Sequence, residues 1–370
     1  MNATAILRAN TRYDGAPLGS KAEVTSHAAL DSWGGFNNLD AWIAPHVDGL
    51  LLRIFLSRTD ALGGARPRSH LVSLSPLLRG ECAAQKLDLR GKLLWEYRVV
   101  RFVGDGASSR IWVVRDQKTR TIYALKHVIS EGEKEDRFLE QVRQEWEIGS
   151  KLSHPAIRSM VKLCRDTLLN RNAKELGLVM EYVDAEDLAT IPKPPLAECL
   201  TIFRQVASAL VHMHERGFVH ADMKPLNILY DEAKHVKLID LGQACKVGTV
   251  KERVQGSPGF LAPEQAERGP VTEQTDVFNF GATMFWVLFR MYASQAAKTT
   301  ESTKSRVDAS LVAGAGAPIK LDATIPQALS DLLLDCLEEE AHKRKRMTYV
   351  LRQLTAMTAE IPASVLRARD

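Results

Sequence analysis

The chain has 370 residues, of which 45% are hydrophobic and 25% are charged, and its formal net charge is +4. This is the composition of an ordinary globular protein, and so small a net charge argues against a dedicated nucleic-acid or membrane-surface binder. The five scattered cysteines form no CxxC pair, which gives no sign of a metal site and favours a reduced, cytoplasmic compartment. The amino terminus lacks the layout of a signal peptide. The most apolar run, residues 280–289, predicts a buried helix rather than a membrane span.

Residues 1–92 differ from the rest of the chain and form a predicted amino-terminal extension. Up to Phe36 they are rich in small and polar residues without sustained periodicity, which predicts partial disorder. Apolar residues at helical spacing over residues 39–58 then predict an amphipathic helix, which Pro45 would kink or shorten. Its apolar face could dock on the catalytic domain or on a partner. The alternative is a segment that packs weakly and belongs to no stable fold.

Residues 93–360 read as one domain made of two parts. β-Branched and aromatic residues separated by turn-forming residues predict antiparallel strands over residues 97–128, and another strand follows at 176–183. A charged, helix-favouring stretch at residues 133–152 lies between them. After Pro195 the pattern is mainly helical. The sequence therefore predicts a sheet-rich lobe followed by a larger helical lobe.

Two features of the first lobe are suited to binding phosphate. Gly104 and Gly106 lie in a turn between strands, where backbone N–H groups can approach phosphate oxygens without obstruction by a Cβ. Such a pair alone more often marks a hairpin turn. Lys126 on the next strand but one could neutralise phosphate charge, provided that an acid fixes its side chain. Glu145 in the following helix is the best candidate for that acid. Two alternatives lie in the same helix, Glu140 and Glu147.

The strongest functional signal is the run of residues 220–227, followed by Asp240. Asp222 is placed to accept or orient the proton of a substrate hydroxyl, and Lys224 to reach a transferring phosphoryl group. Asn227 and Asp240 are joined by a short predicted hairpin and offer two oxygen ligands for Mg²⁺. Polar groups at these intervals between apolar strands are hard to explain as surface residues. The segment predicts a phosphoryl-transfer site.

In this order the motifs resemble those of the eukaryotic-type (Hanks-type) serine/threonine protein kinase family. The resemblance covers about residues 97–355 and leaves out residues 1–92. The matching segments are Gly104 and Gly106 of a glycine-rich loop, Ala124-Leu125-Lys126, His220-Ala221-Asp222, Asn227, Asp240-Leu241-Gly242 and Ala262-Pro263-Glu264. The resemblance also implies that Arg344 or Arg346 pairs with Glu264.

The resemblance implies an α+β, bilobal protein-kinase-like fold. A small antiparallel β-sheet lobe with one helix would occupy about residues 93–180, and a larger, mainly helical lobe about 182–360. ATP and Mg²⁺, with Mn²⁺ as a potential substitute, would bind in the cleft between the lobes. The implied nucleotide-binding residues beyond those already named are Val103, Ile111, Ala124, the gatekeeper Met180, the Glu181 carbonyl and Val183 amide of the hinge, Asp187 beside the ribose, and Leu229.

Several positions depart from the family pattern. Ala221 replaces the arginine that in the family reads a phosphate on the activation loop. Thr249 is the sole hydroxyl residue of 243–255, so we expect activity that does not depend on phosphorylation of this loop (a non-RD kinase). Ser109 replaces the third loop glycine. Gly149 stands where a large apolar side chain would be expected to pack on the D-L-G motif.

The predicted function is ATP- and Mg²⁺-dependent transfer of the γ-phosphoryl group to serine or threonine hydroxyls of protein substrates. Lys224 favours these acceptors over tyrosine. The main alternative is a pseudokinase that acts as a nucleotide-binding scaffold or regulatory interaction module, which Ala221, Ser109 and Gly149 motivate. A small-molecule kinase on the same fold is a third reading. The expected partner is a protein substrate, with neither nucleic acid nor membrane.

Overall fold

The structure is a computed structural model, and it describes the chain in several stretches. These are residues 21–22, 38–46, 49–59, 65–73, 89–105, 109–130, 132, 136–165, 174–293 and 318–360. The chain divides into two compact units, Met1–Leu87 and Asp88–Asp370. Leu89 is buried in one cluster with Tyr97 and Val99, so the second unit begins before the boundary that the sequence suggests at residue 92. No helix in the described stretches is long and apolar enough to cross a membrane.

The first unit contains a four-stranded antiparallel sheet whose strands follow chain order. The strands are β1 (Lys21–Ala22), β2 (Asn38–His46), β3 (Gly49–Thr59) and β4 (Ala65–Ser73). The helix predicted over residues 39–58 is therefore wrong, because this range forms the β2–β3 hairpin. The rest of the segment up to Phe36, where partial disorder is predicted, lies outside the described residues.

The error in this range has a physical cause in the sequence itself. Short apolar runs are ambiguous between a helical period and a period of two, and Leu50, Leu52, Ile54 and Leu56 also fit the alternation of a strand. The dipeptide Asp48-Gly49 is a hairpin signal. The structure has the hairpin, with His46 paired to Gly49.

The small lobe of the second unit is a six-stranded antiparallel sheet in the order β5-β6-β7-β8-β10-β9. Its strands are β5 (Leu93–Leu94), β6 (Tyr97–Asp105), β7 (Arg110–Asp116), β8 (Ile122–Ile129), β9 (Met160–Arg165) and β10 (Glu175–Glu181). One helix, α1 (Asp136–Gly149), packs on this sheet through Leu139 and Val142. The predicted sheet lobe with one helix is confirmed.

The large lobe is mainly helical and carries several short strands. Its helices are α2 (Leu196–His214), α3 (Pro263–Ala266), α4 (Glu273–Phe289), α5 (Pro318–Leu321), α6 (Gln327–Cys336) and α7 (Met347–Ala359). Its strands are β11 (Glu186–Asp187), β12 (Phe218–Val219), β13 (Ile228–Tyr230), β14 (Val236–Leu238), β15 (Cys245–Lys246), β16 (Thr249–Val250) and β17 (Pro270–Val271). The apolar run at residues 280–289 lies in α4, whose Phe280 packs edge-on against Phe203 of α2. The prediction of a buried helix is confirmed.

A buried ion pair joins α3 to the segment before α7. Arg344 is 3% exposed and donates to both carboxylate oxygens of Glu264, at 2.7 and 3.0 Å. The same guanidinium donates to the carbonyls of Gln274, Glu338 and Glu339. The bidentate geometry satisfies a charge that burial would otherwise penalise. Of the two arginines left open by the sequence, Arg344 forms the pair.

We expect Arg344→Met to lower the free energy of unfolding by about 3–5 kcal/mol, because it leaves the Glu264 carboxylate and three carbonyls without their donor. The exposed neighbour Arg346 is the matched control, and its methionine variant should stay within about 0.5 kcal/mol of the wild type. Urea unfolding followed by fluorescence measures both. Equal effects of the two substitutions would contradict the assignment.

Candidate active site

One lysine connects three separate parts of the second unit. Lys126 Nζ on β8 donates to Glu145 Oε2 of α1 at 2.7 Å and to Asp240 Oδ1 at 3.2 Å. Asp240 directly precedes a 3-10 turn that follows β14. The predicted Lys126–Glu145 pair is thus formed, and the predicted metal-binding aspartate shares its cation. Two lobes converge on this group.

Helix α1 explains why Glu145 holds the lysine. Leu139, Val142, Glu145 and Ile148 follow each other at three-residue spacing and form the buried face of the helix. Glu145 is 1% exposed, so its carboxylate needs a cation close by. The two alternatives lie on the exposed face and pair with neighbours in the helix or just after it: Glu140 with Arg143 and Glu147 with Lys151.

The charges in this group favour a fixed cation beside an ionised aspartate. Burial lowers the pKa of Lys126, but the carboxylates of Glu145 and Asp240 outweigh this and raise that pKa above its usual range. Burial raises the pKa of Glu145, and the lysine opposes this shift. The Lys126 ammonium lowers the pKa of Asp240 to about 2. Asp240 is therefore a carboxylate at neutral pH and can bind a cation.

The loop between β12 and β13 brings the remaining predicted catalytic groups together. Asp222 lies 3.1 Å from Lys224 Nζ, and it accepts a hydrogen bond of 2.8 Å from the hydroxyl of Ser257. Lys224 also donates to that hydroxyl, at 2.8 Å. The Ser257 hydroxyl is therefore hydrogen-bonded to both Asp222 and Lys224. Asp222 is 8% exposed, so most of this residue is shielded from solvent.

Asn227 and Asp240 present oxygens of the kind that Mg²⁺ prefers. Asn227 donates through its amide nitrogen to the Asp222 carbonyl at 2.8 Å, so its amide oxygen can accept a metal. The Asn227 carbonyl accepts from the Ile239 N–H, which places the asparagine beside the residue before Asp240. The Asp240 side chain is 43% exposed. An amide oxygen and an accessible carboxylate are both donor types that suit a hard divalent cation.

Asp276 in the first turn of α4 anchors the catalytic loop. Its buried carboxylate accepts from the N–H groups of His220 and Ala221 and from His214 Nε2, each at 2.8 Å. Ala221 has a φ of 61°, a left-handed conformation that is costly for a residue with a Cβ. Burial alone would raise the pKa of Asp276, but these hydrogen bonds lower it. In the sequence, Asp276 begins a D-x-F-x-x-G segment that resembles the motif opening the central helix of protein kinases, but that resemblance gave Asp276 no role in the site.

The strand register places the predicted adenine-side residues in one patch of sheet. Ala124 pairs with Met180 on β10, and Lys126 pairs with Leu178 on β10 and with Ile111 on β7. Since side chains alternate along a strand, Ala124 and Lys126 share one face of β8. The gatekeeper position is therefore directly beside the lysine strand.

For the other predicted nucleotide-binding residues, the structure gives less support for contact with a nucleotide. Asp187 accepts hydrogen bonds from the N–H groups of Ala189 and Thr190, so its carboxylate caps a local turn. The Glu181 side chain turns to Lys237 on β14, at 2.7 Å. The remaining positions are the half-exposed Val103, Gly104 on β6, Val183 after β10, Leu229 opposite Asp187, and Gly106, which lies outside the described residues. Their roles stay predictions.

The space at Gly149 is filled from another strand. A Cβ placed on this residue would lie 2.5 Å from Met160 Cγ and 3.3 Å from Leu241 Cδ1. Met160 of β9 therefore packs where a side chain on α1 would otherwise lie. Met160 fills the space between α1 and Leu241 of the D-L-G motif. A Cβ at position 149 would overlap with Met160, so this packing requires a glycine there.

We expect Gly149→Ala to destabilise the second unit, although alanine favours helices by about 1 kcal/mol, because its Cβ meets Met160. Adding Met160→Ala should relieve the overlap. A double-mutant cycle on the free energy of unfolding should then give a coupling of about 0.5–3 kcal/mol. Additive effects of the two substitutions would show that the residues do not compete for this space.

The comparison with known proteins agrees with this geometry. A sequence model described as "Protein kinase domain" matches residues 97–354. Serine/threonine-protein kinase PrkC of Bacillus subtilis is 28% identical over 257 residues, which are 67% of this chain and 38% of that protein. Serine/threonine-protein kinase PknA of Mycobacterium tuberculosis is 32% identical over 193 residues, or 50% of this chain and 44% of that protein.

Serine/threonine-protein kinase TIO of Arabidopsis thaliana is 29% identical over 255 residues, which are 67% of this chain and 18% of that protein. The chain thus spans less than half the length of each of these three relatives. The family match covers more than half of the chain and includes every group of the site described above. This chain belongs to the protein kinase domain family.

Proposed function

We propose that the chain transfers the γ-phosphoryl group of ATP to serine or threonine hydroxyls of protein substrates, without a phosphate on its own activation loop. One observation carries this proposal. Lys126, Glu145 and Asp240 form one ionic group, and backbone contacts connect Asp240 to the loop that holds Asp222 and Asn227. Phosphoryl transfer needs mainly positioned charges, and these residues supply them.

Each residue has a separate task in this mechanism. Asp222 orients the acceptor hydroxyl and takes its proton, while Lys224 neutralises charge near the transferred group. Lys126, fixed by Glu145, would hold the α and β phosphates. Asn227 and Asp240 would hold Mg²⁺, or Mn²⁺ in its place. A bound metal ion supplies positive charge that offsets the charge developing on the phosphoryl oxygens.

The acceptor class follows from Lys224 and from the relatives. Lys224 and Ser257 occupy the space directly beside Asp222, and three relatives are named serine/threonine-protein kinases. These observations support serine or threonine as the acceptor.

The pseudokinase alternative rests on Ala221, Ser109 and Gly149. The packing of Met160 against Gly149 removes one reason for it, since α1 and Leu241 are in contact without a large residue at 149. The intact group of Lys126, Asp222, Asn227 and Asp240 also favours catalysis. Transfer of labelled phosphate separates the two functions.

We expect Asp222→Asn to lower kcat by about 10²–10⁴-fold, because the hydroxyl loses its proton acceptor. Nucleotide affinity should stay close to that of the wild type, since Asp222 makes no ion pair with Lys126. Transfer of ³²P from ATP to a generic protein substrate, together with fluorescent-nucleotide binding, measures both quantities.

The matched control is Asp331→Asn on the exposed face of α6, which should leave kcat unchanged. Asp240→Asn should abolish transfer in both Mg²⁺ and Mn²⁺, because it removes a proposed metal ligand. Near wild-type transfer by Asp222→Asn would sink the mechanism. Nucleotide binding by a wild type that transfers no phosphate would favour the pseudokinase.

We further expect phosphatase treatment to leave the activity unchanged. Ala221 has no guanidinium to bind a phosphate, and Thr249 is engaged with the Lys246 carbonyl at 2.7 Å. Thr249→Ala should therefore keep kcat within about twofold. Activity of the phosphatase-treated wild type and of this variant, with mass spectrometry of residues 243–255, tests the expectation. A loss of about tenfold or more on dephosphorylation would contradict it.

A further inference from the structure

The activation segment, residues 240–264, begins at the proposed metal ligand and ends at α3. Two consecutive main-chain carbonyls near its start accept hydrogen bonds, one from a side chain of α1 and one from a side chain of the segment itself. Gln144 of α1 donates to the Ala244 carbonyl at 2.6 Å, and Lys251 Nζ donates to the Gln243 carbonyl at 2.6 Å. The start of the segment is therefore bonded both to α1 and to Lys251, which lies later in the same segment.

The two arms of the segment are also paired to the large lobe. The outgoing arm is the part of the segment that contains β15, and β15 pairs with β12 just before Asp222. The returning arm is the part that contains β16, and β16 pairs with β17 after α3. Lys251 directly follows β16 and reaches back across this loop to the outgoing arm. A single side chain thus closes the loop formed by residues 243–251.

The Lys251 ammonium is partly buried, which is unusual for a lysine on a loop. Burial lowers its pKa, and the Asp222 carboxylate and the Cys245 thiol oppose this shift. The ammonium therefore lies in the field of the proposed catalytic acid. A partly buried lysine that donates to a carbonyl is held in place by that bond, since loss of the bond would leave a polar group unsatisfied.

A third contact holds the far end of the segment. Gln265 of α3 donates to the carbonyls of Ala221 and Gln255 and accepts from the Ala262 N–H. It binds the backbone of the very residue that replaces the family's arginine. All three contacts join a side-chain nitrogen to a main-chain carbonyl, and none of them involves a residue that can be phosphorylated.

We propose that Lys251 is a positioning residue that holds the activation segment in its active arrangement, in the place of a phosphate on this segment. The proposal rests on the proposed kinase function. Lys251 supplies the positive charge and the donor from within the segment, so that the outgoing arm keeps Leu241 and Gly242 beside α1. The Gln144 and Gln265 contacts support the same arrangement from α1 and α3.

The test compares three variants of the full chain. Lys251→Met removes the ammonium and keeps the aliphatic stem, Lys251→Arg keeps a cationic donor, and Lys246→Met removes an exposed lysine of the same loop. We measure kcat, KM for ATP, the thermal unfolding temperature, and protease cleavage within residues 243–255. Phosphatase-treated protein is used throughout.

Lys251→Met should lower kcat by about 10- to 100-fold, the equivalent of one hydrogen bond to a charged group. KM for ATP and the unfolding temperature should stay near wild type, while cleavage of the segment becomes faster. Lys251→Arg should recover most of kcat, and Lys246→Met should match the wild type.

A Lys251→Met variant with wild-type kcat and wild-type cleavage would overturn the proposal, and so would equal losses in the Lys246 control. A kcat loss in Lys251→Met that Lys251→Arg fails to recover would show that the cationic donor is not what matters. An inactive wild type would instead refute the proposed kinase function, and the cleavage rates would still report whether Lys251 holds the segment.

Discussion

The active site depends on the buried contact between Lys126 and Glu145. Glu145 is the one acidic residue on the apolar face of α1, so the helix can pack on the sheet only if a cation meets the carboxylate. Lys126 provides that cation and at the same time binds Asp240 from the large lobe. The packing of α1, the position of the lysine and the position of Asp240, the proposed metal ligand, are therefore coupled. A shift of α1 would leave a buried charge unpaired, which makes the assembled site favourable over a partly assembled one.

The large lobe secures its part of the site with buried polar side chains. Asp276 holds the strained backbone at Ala221, and Asn279 of the same helix donates to the Phe260 carbonyl at 2.6 Å. Thr283, one turn further, donates to the Met223 carbonyl at 3.1 Å. One face of α4 thus binds the backbone of both the catalytic loop and the activation segment. Such satisfied networks rigidify the chain around them, and this rigidity keeps Asp222 in place before any substrate arrives.

The sequence is more informative about which residues belong to the candidate site than about the contacts that support them. The intervals between Asp222, Asn227 and Asp240 are local, and local spacing can be read directly. Choosing Glu145 over Glu140, or Arg344 over Arg346, required knowledge of which face of an element is buried, and only packing decides that. The helix predicted over residues 39–58 failed because its apolar residues fit two periods. The supporting contacts of Lys251 and Gln265 join residues 8 and 44 positions apart in the chain, and no spacing rule predicts them. The same holds for the contact of Met160 with Gly149.

The alanine at position 221 bears on how the activation segment is held. An arginine there would be a buried cation without a partner until a phosphate arrived, so the segment would be ordered only after modification. Alanine brings no guanidinium to the catalytic loop, and the partly buried cation of Lys251 already has a partner in the Gln243 carbonyl. Gln265 instead binds the Ala221 carbonyl, and neutral hydrogen bonds of this kind are present whenever the chain is folded. These contacts support the proposal that activity does not depend on phosphorylation of the activation segment. Displacement of α1 would separate Glu145 from Lys126, and Lys126 also binds Asp240 of the large lobe.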